Sequence, residues 1–513
     1  MLFHEPVFLY AFLPVTLAAF LLAQRHLRGH ASNWILLSAS LLFYGWWDPR
    51  LLPLLLLSIA ANHQLGGRLA RQDRSSGNAL LGFGIAINLV LLGAFKYADF
   101  LVTMTNCALG TSMAAPGIPL PLAISFFTFL QIAFLVDCRR TALAPPGLTD
   151  YALFVSYFPH LVAGPLVHHR ELIPQFRRKV PCNENWENLC VGSTIFLIGL
   201  AKKTLLAQPA GAYSDKLFDA TAAGASPTAI EAWVGSIAFA FQIYFDFSAY
   251  SDMAIGLSRL FGIWLPVNFA SPYKATSIID FWRRWHITLS RFLRDYLYVP
   301  LGGSRRGVTR RYTNVLTVML LGGLWHGAGW TFVLWGGLHG LLLAANHLWR
   351  DWRGEQAPRA GRTAAWFWRT ITFCAVVVLW VPFRAESLST TMSIWTGMVG
   401  LNGLVLPEHY AAIRWLGGLS EYGIRFAATP LYGGGWQLVD LALALAIVWT
   451  CPSTQEIMRN HRPALNHDTS GARSKIPAWR PSLLLGIATG AVAVVLFART
   501  LQKQPGEFIY FQF

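Results

Sequence analysis

The chain is constrained first by a series of apolar runs, each near 20 residues, parted by short stretches that carry arginine. A helix needs ~20 apolar residues to cross the ~30 Å hydrocarbon core of a bilayer. In lipid every backbone N–H and C=O must be satisfied within the protein, which leaves helices and closed barrels. Runs of this length predict helices, so the expected fold class is an all-α polytopic membrane protein. Composition agrees, with 54% of the 513 residues hydrophobic and 13% charged. A soluble chain of this length would suggest several domains; here one integral-membrane domain over residues 1–513 is expected. The excess of 41 Lys+Arg over 25 Asp+Glu fits cation-bearing loops that orient spans in a membrane. No nucleic-acid module accompanies it, so the expected partner is the lipid bilayer and not a nucleic acid. The six cysteines include no Cys-x-x-Cys pair and read as small core residues. No basic region precedes the first apolar run, which predicts a retained first helix rather than a cleaved signal peptide.

Taken in order, the predicted spans begin at residues 7–22 and continue with an apolar region at 34–65. Trp46-Trp47-Asp48-Pro49-Arg50 interrupts that region and suggests a hairpin of two short helices. Further spans are expected at 79–95 and 119–136, with a loop at 107–117 between them. Residues 151–167 hold Phe158-Pro159-His160-Leu161-Val162-Ala163-Gly164-Pro165. Such a stretch predicts a broken or re-entrant segment, because irregular backbone survives at depth only when buried in protein; His160 within it reads as a structural hydrogen-bonding group. Spans at 190–206 and 230–257 follow. The second carries Asp246 and Asp252, which are expected to pair with nearby arginines. Residues 266–300 are too charged to span. As one interfacial helix they would set Arg284, Arg291 and Asp295 on one face and His286 on another. The run 314–349 is long enough to go out and back, and it contains Gly336-x-x-x-Gly340, a small-residue stripe for close helix packing. Spans at 370–381, 438–450 and 483–496 close the series. The half-polar stretch 387–436 predicts no particular element, and the tail Phe508 to Phe513 reads as an interfacial aromatic anchor. Basic residues recur at Arg25 and Arg28, at Arg68, Arg71 and Arg74, at Arg139 and Arg140, at Arg177, Arg178 and Lys179, and in stretches 305–311, 350–362 and 459–480. Placing these on the cytoplasmic side puts both termini outside it. Lys202-Lys203 fits that count least well.

Two histidines stand out in this pattern. His326 sits in Leu324-Trp325-His326-Gly327-Ala328-Gly329-Trp330, with hydrophobic sequence on both sides. His286 sits in Phe281-Trp282-Arg283-Arg284-Trp285-His286. An ionisable group at bilayer depth is costly unless it lines a cavity or finds a partner, so function is the default reading. On one continuous helix His339 would lie about 140° from His326, which assigns it a structural place away from the site.

These residues are where the sequence resembles the membrane-bound O-acyltransferase family, and within it the bacterial polysaccharide branch typified by the alginate O-acetylation protein. The matching pieces are Phe281-Trp282-Arg283-Arg284-Trp285-His286, Arg294-Asp295-Tyr296, Leu301-Gly302-Gly303, and Leu324-Trp325-His326-Gly327 followed by Val333-Leu334-Trp335-Gly336-Gly337. The most specific likeness covers residues 151–350, and Gly329 departs from the serine expected in many relatives. The resemblance implies a helical bundle with re-entrant and interfacial helices around a central catalytic cavity. It implies His326 as the main catalytic residue and His286 as its partner, with Trp282, Arg294, Asp295, Trp325 and Trp330 in support. It also implies an acetyl thioester donor (acetyl-coenzyme A or an acyl carrier), no tightly bound cofactor, and an extracytoplasmic polysaccharide acceptor. A periplasmic accessory acetyltransferase or polysaccharide-export complex is the implied partner, and the bacterial inner membrane the location.

The chemistry is consistent with those residue types. Acyl transfer to a hydroxyl needs a base for its proton, and histidine, with an ordinary pKa near 6.5, is suited to that. No Gly-x-Ser-x-Gly elbow is present, and no carboxylate joins the two histidines at a metal-ligand spacing. A transporter would more often show paired repeats with matching broken helices, and neither histidine motif has a second copy. A scaffold would leave both histidine motifs without a role.

Overall fold

The computed structural model describes residues 1–27, 30–72, 74–141, 145–178, 181–354, 361–427, 431–432, 435–465 and 478–502. Arg28, Lys179, Arg359 and the proposed aromatic anchor at Phe508 to Phe513 lie outside the described residues. Packing divides the chain into two units, one built from residues 1–200, 249–268 and the part from 454 onward, the other from 201–248 and 269–453. The described chain is almost wholly helical, as lipid requires of a spanning backbone. Among the described residues five helical runs are long and apolar enough to cross a membrane: Phe8–His26, Ser76–Lys96, Glu184–Ala222, Arg362–Arg384 and Leu483–Gln502.

The first unit opens with α1 (Leu13–His26), α2 (Ala31–Gly45) and α3 (Leu52–Leu69). Between α2 and α3 the Asp48 carboxylate accepts the Arg50 backbone N–H at 2.9 Å, and prolines at 49 and 53 set the turn. That is the expected hairpin, made by a local cap plus the fixed φ of proline. α4 (Arg74–Lys96) and α5 (Ala98–Leu109) follow, so the expected loop starts only at Gly110, which carries the helix stop at φ 66°. α6 (Ile124–Thr141) packs against α3 and α4. There a buried amide network links Ser58, Asn62, Asn88 and Gln131, with Asn62 donating to Gln131 at 2.6 Å. The broken segment is real. α7 (Leu148–Ser156) stops before Tyr157, α8 (Phe158–Leu161) is a single turn with Pro159 near its start, and α9 (His169–Phe176) resumes after an irregular stretch. Nearly all of it is buried, and the His160 ring bonds the Phe154 carbonyl at 2.9 Å. α10 (Cys182–Ala201) closes against residues 249–260, where Gly192 and Gly256 let backbones touch.

The second unit corrects three sequence expectations. The helix expected to end at 206 instead runs on through a π-turn (Lys202–Ala207) into α11 (Gln208–Ala222). α12 (Ala229–Leu260) supplies Asp246, which pairs with Lys203 at 2.7 Å, both side chains under 5% exposed. A lysine therefore takes the place expected of arginine. Its burial explains why Lys203 does not count as a loop charge, while Lys202 beside it is half-buried. Asp252, described with the first unit, accepts from Thr454 Oγ1 at 2.6 Å and Gln455 Nε2 at 2.8 Å. The third correction concerns residues 266–300, which are not one helix: α13 (Ile278–Arg284) and α14 (Ile287–Leu293) are separated by a break at Trp285 and His286. The faces drawn on a continuous helix do not hold. α15 (Val308–His326) and α16 (Trp330–Arg353) form a packed helical hairpin, with Gly336 and Gly340 against Met319 and Leu316, and neither is among the five runs above. α17 (Arg362–Arg384) packs on α16, and α18 (Leu388–Met398), capped by Ser387, on α17. The stretch that predicted no element holds a short parallel pair, β1 (Val405–Pro407) and β2 (Arg425–Ala427), with single helical turns between. α20 (Trp436–Thr450), after the one-turn α19 (Arg414–Gly417), ends the unit, and α21 (Thr454–Ile457) and α22 (Leu483–Gln502) return to the first.

Candidate active site

His286 is placed by a backbone break. Ser277 caps α13, accepting the Asp280 N–H at 3.2 Å, and the helix ends seven residues on with Trp285 extended. Trp285 is an anchor: its buried indole lies 5.0 Å from both Phe269 and Trp380 and stacks on Phe281 at 5.6 Å. The chain then reverses through His286, at φ 43° and ψ 53°. Few non-glycine residues adopt this left-handed region, at a cost of order 1–3 kcal/mol, and they persist where packing over-determines them. Here Phe247 meets the fully buried imidazole edge-on at 4.8 Å, and the Trp325 ring lies 6.4 Å away.

His326 is placed by the end of α15. The chain turns at residues 327–329, where a Cβ on Gly327 would overlap the Phe332 ring, so that turn needs glycine. The imidazole is 6% exposed. It lies 4.8 Å from Trp325, 5.2 Å from Trp335 at 89°, and 5.2 Å from Phe383. Trp325 thus touches both histidine rings. Trp335 also stacks on Trp380 at 5.8 Å and lies 5.0 Å from His339.

The structure therefore gathers His286, His326 and Trp325 in one aromatic cluster of the second unit. Trp282 joins it from α13, its indole N–H donating to His339 Nδ1 at 3.3 Å. Arg294 and Asp295 lie in the π-turn after α14, paired with each other at 2.7 Å and with side chains 61% and 32% exposed. Trp330 opens α16 with half its surface exposed. Sequence reasoning set His339 apart by drawing 326–339 on one helix. The break at 327–329 removes that premise, and His339 and His326 both meet Trp335. Trp335 itself stands in a quoted motif, whereas Phe247, Trp380 and Phe383 come from distant helices and had no local signal.

This histidine cluster lies within residues 100–388, which match the sequence profile of MBOAT, the membrane-bound O-acyltransferase family. The chain is 42% identical over 434 residues to the peptidoglycan O-acetyltransferase of Helicobacter pylori, covering 79% of this chain and 81% of that protein. It is 36% identical over 536 residues to the probable alginate O-acetylase AlgI of Azotobacter vinelandii, covering all of both chains. The AlgI of Pseudomonas aeruginosa, named likewise, is 36% identical over 540 residues, again covering both fully. The chain belongs to the membrane-bound O-acyltransferase family and is an acyltransferase.

Proposed function

We propose that this acyltransferase moves an acyl group, acetyl in the first instance, from a cytoplasmic thioester towards hydroxyls of an extracytoplasmic polysaccharide such as alginate. The observation that carries the reading is the contact of both histidine rings with Trp325. In this reading His326 takes the proton of the attacking hydroxyl, and His286 orients the acyl group. Proton transfer of this kind contributes typically 10²–10⁴-fold. Trp325 and Trp282 support the cluster by contact; Arg294, Asp295 and Trp330 are assigned supporting roles by their motifs alone. The names of the relatives support O-acetylation of a glycan, and they include two different polymers. The donor is acetyl-coenzyme A or an acyl-carrier thioester, with no tightly bound cofactor. Delivery to the polymer runs through a periplasmic accessory acetyltransferase or an export complex, from the bacterial inner membrane.

The test is His326→Ala in cells whose only copy is this chain. Polymer acylation is expected to vanish while membrane abundance stays near wild type. Normal acylation would remove His326 from the chemistry. Loss of the protein from the membrane would make its role structural.

A further inference from the structure

The Trp282 indole can only donate, so its bond to His339 Nδ1 makes that nitrogen the acceptor. In neutral His339 the proton therefore sits on Nε2. That N–H is fully buried and has no hydrogen-bond partner among the described residues. One turn earlier on the same face of α16, the Trp335 indole N–H is also buried and also lacks one. Buried donors are almost always satisfied, so two orphans on neighbouring rings call for an explanation. Trp335 is in edge-to-face contact with His326 and 5.0 Å from His339, which places both donors one ring from the histidine assigned the proton.

Acyl transfer puts negative charge on the carbonyl oxygen, and fixed donors in a water-poor site are the strongest way to hold it. We propose that His339 Nε2–H, together with Trp335 Nε1–H, donates hydrogen bonds to that oxygen during transfer. This rests on the reading of His326 above. The acceptor's hydroxyl oxygen bonds to the thioester carbonyl carbon, and its proton passes to His326. The carbonyl pair moves onto oxygen, where the two N–H groups hold it. As that pair returns, the carbon–sulfur bond breaks, sulfur leaves with its electrons, and the proton on His326 passes to it. The products are an ester and a thiol. Trp282 is a positioning residue: it fixes which nitrogen of His339 carries hydrogen.

The test compares variants of the full chain, as sole copy in cells, by the initial rate at which alkali-labile acyl esters appear on exported polysaccharide, per unit of protein in the membrane. His339→Phe keeps a ring but no donor, and its rate is expected to fall about 10²–10³-fold, the loss typical of one removed oxyanion donor. His339→Gln can accept from Trp282 through its carbonyl and donate through its amide, so it should recover most of that loss. Trp335→Phe should be slow as well. A His339→Phe rate within about threefold of wild type, beside an inactive His326→Ala, overturns this inference and leaves the reading beneath it standing. So does a His339→Gln rate as low as that of His339→Phe, since shape rather than donation would then matter. If His326→Ala stays active, the underlying reading falls instead. Should His339→Phe fail to accumulate, the other two decide: the inference requires a slow Trp335→Phe and an active His339→Gln.

Discussion

At His286 the usual order of two small residues should invert. Ordinarily glycine is the more destabilising replacement, because it loses the most backbone entropy on folding. A left-handed residue with a Cβ costs roughly 1–2 kcal/mol that glycine avoids. His286→Ala and His286→Gly both remove the imidazole beside Phe247 and differ by one methyl group, so their difference mainly reports the backbone. His286→Gly is expected to be about 1 kcal/mol more stable than His286→Ala, read from thermal inactivation of detergent-purified protein. Both should transfer acyl groups far more slowly than wild type. Equal stability, or the reverse order, would show that the site does not hold residue 286 in this conformation. The motif Trp285-His286 was visible in the sequence as a chemical signal. Its backbone was not, because residues 266–300 read equally well as one helix until Trp285 is seen buried against Phe269, Phe281 and Trp380.

Helices were legible where local rules decide them. The turn at Asp48-Pro49 and the broken segment around Pro159 and Gly164 follow from caps, fixed φ and missing N–H groups, all of which sit in adjacent residues. Helices were misread where a buried charge was counted as a loop. Lys203 stands at the centre of the Glu184–Ala222 run, held by Asp246 from α12. The partner is 43 positions away, beyond any periodicity. Breaking such a buried pair typically costs about 3–5 kcal/mol because one charge is left in a poor medium, whereas replacing both with apolar groups is often neutral. Lys203→Met is thus expected to lower the amount of folded protein in the membrane sharply, and Lys203→Met with Asp246→Leu to restore most of it. Quantitative immunodetection of membrane fractions, with thermal inactivation of what survives, measures both. If the double variant is as poor as the single one, the pair does more than neutralise charge, and a transport or catalytic role for Asp246 gains ground.

For the whole molecule, burial of Lys203 against Asp246 removes one of the two lysines that fit the charge count least well. The remaining basic loops then alternate with the runs between them. α10 and α11 make one apolar run, long enough to cross, that ends at the exposed turn at 222–226 before α12. α15 and α16 leave from Arg310 and Arg311 and come back to Arg350 and Arg353, where Arg311 is bonded to Asp351. The charge rule, which puts arginine-rich loops on the cytoplasmic side, predicts residues 110–119 and 222–226 outside and residues 304–311 inside. The break at His286 would then be reached from the cytoplasmic interface, where a soluble thioester is available. Single cysteines placed in a chain freed of its own six can check this, at positions the structure shows exposed: Met113, Ala225 and Ser304. In intact spheroplasts an impermeant maleimide should label Met113→Cys and Ala225→Cys, and should reach Ser304→Cys only after lysis. Labelling of Ser304→Cys before lysis, or protection of Ala225→Cys until then, would reverse the orientation, and the thioester would have to enter from the other side.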